Sequence, residues 1–99
     1  MDRAVFAELV VLDSGDDYAR VGGRCHQGEV RVGQIFDRMA ESHHDRDLSR
    51  GIPIALRVAA IKTYGRNVVV LETALTGELE LNGSGVKSLH AGAALISNG

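Results

Sequence analysis

The chain is poor in the residues that staple, stop or decorate a fold. Among its 99 residues there is one cysteine, one proline and no tryptophan, and aromatics make up 4%. A single cysteine excludes an internal disulfide, so nothing here asks for an oxidising compartment. Scarce aromatics leave few platforms on which nucleic-acid bases could stack. No apolar run approaches the length of a membrane-spanning helix. The N-terminal apolar run is interrupted by Glu8 and lacks a small-residue cleavage site, so it does not read as a signal peptide. The expectation is a cytoplasmic protein without a membrane partner. Charge of one sign is also lacking: the net charge is −2 and the pI about 6.0, which gives no general attraction to nucleic acid or anionic lipid. Nine of the eleven basic residues are arginine, which leaves room for a local basic patch.

What is present fits one domain spanning residues 1–99, with 44% hydrophobic and 24% charged residues around a single modest core. The stretch 21–36 organises it. Val21, Gly23 and Cys25 alternate with Gly22, Arg24 and His26, the period of a strand with one buried face. Gln27-Gly28 offers a turn, Val30 and Val32 resume the alternation against Glu29 and Arg31, and Gly33 bends the chain before Ile35-Phe36. The expectation is a β-hairpin followed by a second bend.

In chain order, residues 3–12 read as a first strand, buried on much of both faces with Glu8 at a wet edge, ending in the turn signal Asp13-Ser14-Gly15-Asp16-Asp17. Residues 18–26 are its antiparallel partner, and short strands follow at 29–32 and 34–39. Residues 40–51 hold only Ala40 and Leu48 as apolar side chains and read as an exposed loop. From 52 to 61, Ile52, Ile54, Leu56, Val58 and Ala60 share one face, with Pro53 suited to a strand start or edge. Tyr64-Gly65-Arg66-Asn67 is a turn, and the apolar block 68–71 is a strand by propensity. Residues 78–82 put Leu79 and Leu81 in and Glu78 and Glu80 out, and 91–97 close the sheet. Short strands separated by turn signals favour an all-β barrel.

Three segments resemble domain II of translational GTPases such as elongation factor Tu. The run Gly23-Arg24-Cys25-His26-Gln27-Gly28-Glu29-Val30-Arg31-Val32-Gly33 is similar to the signature G-R-V-x-x-G-x-[IV]-[KR]-V-G. Thr76-Gly77-Glu78-Leu79-Glu80-Leu81-Asn82-Gly83 is similar to A-G-[DE]-x-[VA]-x-L-x-G, and Leu89-His90-Ala91-Gly92-Ala93-Ala94-Leu95 to I-x-x-G-x-x-L. They stand in the family's order and span about three quarters of the chain. The resemblance implies a small closed or nearly closed Greek-key β-barrel in which 68–71 forms a compact turn or short helix plugging the barrel. It also implies a link to translation, since that domain helps hold the aminoacylated tRNA end or contacts ribosomal RNA. Two departures weigh against inherited tRNA binding. The acidic pair of the family's first strand is missing from Val10-Val11-Leu12-Asp13, and an aspartate stands where the family's turn has arginine. The GTPase apparatus is absent, so GTP binding is not expected.

Four clusters bear chemistry. His43-His44-Asp45-Arg46-Asp47 offers metal-ligand atoms, but adjacent histidines lack the i,i+4 spacing of a helical pair and no cysteine is near, so a solvated loop outweighs a metal site. Cys25 and His26 cannot act as nucleophile and base, because neighbours in a strand face opposite ways; Cys25 is a core residue. Asn82-Gly83-Ser84-Gly85-Val86-Lys87-Ser88 lacks phosphate-loop spacing and reads as a connection. Tyr18, Arg20, Arg24 and Arg31 could form an outward strip for phosphate or carboxylate; pairing with Glu29, Asp16 or Asp17 is the stronger reading. The reading is therefore a binding module without catalysis or cofactor, its partner more readily a protein than RNA. An RNA-binding or translation-associated module is second, and a metal-dependent enzyme using residues 43–47 is third.

Overall fold

The turn signal after residue 12 closes a true reversal: the Gly15 amide donates to the Tyr18 carbonyl at 2.7 Å, and β1 (Ala4–Ser14) returns as its antiparallel partner β2 (Tyr18–Gln27). The structure, a computed structural model, describes residues 3–42, 44 and 51–98. The remaining strands are β3 (Val30–Arg31), β4 (Ile35–Ala40), β5 (Ile52–Thr63), β6 (Arg66–Val68), β7 (Val70–Leu71), β8 (Thr76–Ser84) and β9 (Ala94–Ser97). Six of them, in the order β4-β9-β1-β2-β8-β5, close into an antiparallel barrel through the β4–β5 pairing. The first strand thus lies between its sequence neighbour β2 and the last strand β9. β6 continues the edge of β5 beyond β4, and β3 pairs with β7 in a separate two-stranded sheet. Closure removes most open sheet edges, which otherwise template aggregation.

The inner face carries the core. Phe6, Leu9, Val21, Phe36, Leu56, Leu79, Leu81 and Leu95 are all essentially inaccessible to solvent. Gly23 faces inward among them because the Phe6 ring occupies its side-chain space: a Cβ there would lie 2.7 Å from Phe6 Cε2. A second buried cluster, Val5, Ala7, Ala40, Ala94 and Ile96, lies on the other face of β1, β4 and β9. Burial on both faces of β1 over Ala4–Ala7 matches the four apolar residues that precede Glu8.

Three local expectations are corrected. Residues 21–36 do not form a hairpin, since β3 pairs with β7 and not with β2. At Gly28 the chain leaves one sheet for the other. Its φ is +66°, and a Cβ there would come within 2.4 Å of the Arg3 carbonyl oxygen, so a residue with a side chain does not fit. The block 68–71 is neither one strand nor a compact turn or short helix, although Leu71 is buried in the core. Val68 pairs with Ile61 and Val70–Leu71 with β3, so the chain changes sheets at Val69 and turns that side chain outward, 73% exposed. In β5 the alternation holds through Val58 and then slips. Val58 pairs with Leu81 but Ala60 with Glu80, a bulge that puts Ile61, not Ala60, in the core.

Candidate functional site

The outer face of β1, β2, β8 and β5 takes its shape from an irregularity at Glu8, one of three register shifts between β1 and β2. Strict alternation from Phe6 would aim Glu8, Val10 and Leu12 into the barrel. Instead the register slips between Ala7, opposite Arg24, and Val10, opposite Gly22. Glu8 takes up the extra residue with φ +58°, a left-handed conformation that favours glycine. The bulge brings Leu9 and Val11 to the core side and delivers Val10 and Leu12, 52% and 43% exposed, to the outside. Glu8 is exposed as expected, by a bulge and not by an edge position, and its Oε2 lies 3.0 Å from His26 Nε2.

Between these aliphatic side chains and the β5–β6 turn lies an open groove of about 520 Å³. Gly22, Gly23 and Gly77 form its floor. Gly22 faces outward with open space above it, its nearest neighbours to a built Cβ being Leu12 Cδ1 at 3.9 Å and the Gly77 oxygen at 4.0 Å. The far rim is Tyr64, 83% exposed, held out by a two-residue turn in which Tyr64 (φ +50°) and Gly65 (φ +74°) are both left-handed. Four charged residues line the groove: Glu8, Glu78, Arg24 and Lys62.

Of the four residues expected to form a basic strip, three share this face. Tyr18, Arg20 and Arg24 alternate along β2 with buried Ala19 and Val21 between them. They open onto different hollows. Arg24 lines the apolar groove, whereas Tyr18 and Arg20 line a second, polar hollow of about 330 Å³ with Asp13, Lys62, Glu78 and Glu80. Arg20 Nη1 lies 3.7 Å from Glu78 Oε2. Arg31 stands apart on β3, its Nη2 donating to Glu29 Oε1 at 2.6 Å. The face therefore mixes acids with bases, and no uniform positive field results. Of the candidate metal ligands, His44 is exposed and its amide donates to Ser42 Oγ at 3.1 Å. His43, Asp45 and Asp47 lie outside the described residues. Among the described residues no three His, Cys, Asp or Glu side chains converge on one point.

Cys25 faces the core, fully buried, with its thiol aimed at the Gly28 carbonyl (3.3 Å) and the Gln27 carbonyl (3.6 Å). Burial pushes its pKa above the ordinary thiol value, in keeping with its place among the packed side chains of the core. The groove itself escaped sequence reasoning. Its signals were the paired glycines Gly22-Gly23 inside a strand, which mark a place where another group can approach the backbone closely, and the tyrosine in the neighbouring turn.

No protein-family model matches the chain, and no curated protein matches it in sequence. Solved structures do. Translation elongation factor SelB from Methanococcus maripaludis in its apo form superposes with a TM-score of 0.72 at 17% identity, over 96% of this chain and 19% of that one. The same factor in complex with the GTP analogue GppNHp gives 0.68 at 15% identity, over 98% of this chain and 19% of that one. A bacterial selenocysteine-specific elongation factor, EF-Sec, gives 0.62 at 18% identity, over 98% of this chain and 14% of that one. At such identities the likeness concerns the fold: the chain has the barrel of a translation-factor domain, as its motifs implied. It spans less than a fifth of the length of these proteins.

Proposed function

We propose that the barrel is a cytoplasmic, non-catalytic binding module whose partner is a protein, docked on the outer face of β1, β2, β8 and β5. One observation carries the reading: a hollow on this face has aliphatic walls, a glycine floor and an aromatic rim, with acidic and basic groups interspersed. Protein interfaces favour an apolar centre with Tyr and Arg around it. Phosphate binding would favour clustered, unopposed bases. Here Arg20 is opposed by Glu78, and Arg31 by Glu29. The likeness to elongation factors keeps an RNA-contacting, translation-associated role as the second reading, through Arg20, Arg24 and Arg31.

A salt series separates the two. RNA affinity falls steeply with ionic strength, in proportion to the phosphates neutralised, whereas apolar burial depends on it weakly. Binding of a tRNA acceptor-end mimic is expected to be weaker than about 1 μM at physiological salt, the range of non-specific association. Tight binding with a steep salt slope, abolished in Arg20→Glu/Arg24→Glu, would put the RNA reading first.

A further inference from the structure

We infer that the groove recognises an acidic, apolar peptide segment: an aliphatic or aromatic side chain on the glycine floor, flanked by carboxylates that meet Arg24 and Lys62. The inference rests on the protein-partner reading and deepens it. The charge arrangement at the groove points to this class. Its two acids are engaged within the molecule, Glu8 with His26 at 3.0 Å and Glu78 with Arg20 at 3.7 Å. Its two bases, Arg24 and Lys62, have no ion pair or side-chain hydrogen bond among the described residues. Both are exposed. Arg24 and Lys62 are therefore available to carboxylates from outside, although the chain as a whole is negative.

The apolar parts say what lies between the carboxylates. Val10 and Leu12 face outward because Glu8 sits in a left-handed bulge, and Tyr64 stands at the tip of the β5–β6 turn in a left-handed position. Backbone strain of this kind collects where a surface is used. A tyrosine held clear of its own barrel offers a rigid, amphipathic contact of the sort that anchors interfaces. The open space above Gly22 accepts a side chain from outside. A nucleic acid also matches the two cations, but its backbone has no aliphatic side chain to set against Val10 and Leu12.

The test is an amide chemical-shift titration of the full chain with three probes. These are an acetylated, amidated octapeptide alternating leucine and glutamate, its leucine–lysine counterpart, and octauridylate. The leucine–glutamate peptide should shift the Gly22, Gly77 and Lys62 resonances and bind at least about tenfold more tightly than the leucine–lysine peptide. Arg24→Glu/Lys62→Glu should reverse that order. Gly22→Leu should abolish binding by filling the floor, with an unchanged melting temperature; Tyr64→Ala, at an exposed position, serves the same purpose should Gly22→Leu fail to fold. Equal or tighter binding of the leucine–lysine peptide would overturn the acidic specificity and leave the protein-partner reading standing. Octauridylate shifting the groove resonances while neither peptide does would overturn both. A groove silent to all three probes overturns the inference alone, since the protein-partner reading has its own salt test.

Discussion

Glu8 stands in the left-handed region, where a side chain costs roughly 1 kcal/mol, and its exposed pair with His26 returns about 0–1 kcal/mol. Glu8→Gly should accordingly change stability by less than about 1 kcal/mol, whereas the β-branched Glu8→Val, strained and unable to pair, should lower it by about 1–2 kcal/mol. Denaturant midpoints of the two variants check this. Cys25 yields a second prediction at the same scale. Its buried thiol keeps its proton above the pH at which the unfolded chain, with an ordinary thiol near about 8.5, gives it up. The folded pKa is the higher one, so this contribution is intact below the ordinary thiol range and is lost as the pH rises from there through the raised folded value. Cys25→Val should fold normally and lack that alkaline decline, while Cys25→Asp should lose several kcal/mol by burying an unpaired charge. Unfolding curves of wild type and Cys25→Val across the alkaline range test the sign, and rapid labelling of the native thiol by a bulky maleimide would refute the burial itself.

At the scale of the element, β5 shows why a pattern of alternation can be right in kind and wrong in phase. The strand forms where its run of Ile, Leu and Val demands one, but it pairs along one edge with β4 and then β6, and along the other with β8. The bulge between Val58 and Ala60 bends it from one partner to the next, and the bend exchanges the facing of every later residue. Ile61→Ala should therefore cost about 2–4 kcal/mol as a cavity in the core. Ala60→Ser, at the position strict alternation would bury, should cost less than about 0.5 kcal/mol. Equal losses in thermal unfolding would show the bulge to be wrongly placed.

For the whole molecule, barrel closure joins the first and last strands, and most pairings link residues far apart in sequence. Such topologies fold slowly, since chain ordering precedes the contacts that reward it. Stability should also be graded. Val21 and Leu81 lie on strands flanked on both sides and within the core, whereas β6 and the β3–β7 pair are short and peripheral. Amides of Val21 and Leu81 should exchange only by global unfolding, and those of Asn67 and Val70 at least about a hundredfold faster through local opening. Uniform protection across all four would contradict a barrel with loosely attached margins.

Local chemistry by itself determined much of this protein. Alternation set the faces of β2 and β8, the acidic turn set the β1–β2 reversal, and the three motifs set the barrel class, because each depends on neighbours within a few residues. The same reasoning placed Tyr18, Arg20 and Arg24 outward and Cys25 inward. Only the tertiary structure decided where strands change partners, at Gly28, Val69 and Ala59, since partner choice belongs to the closed sheet and not to either strand alone. It also decided the groove. Val10, Leu12, Gly22 and Tyr64 come from two strands and a turn, and Val10 and Leu12 face solvent because the register of β1 slips at Glu8.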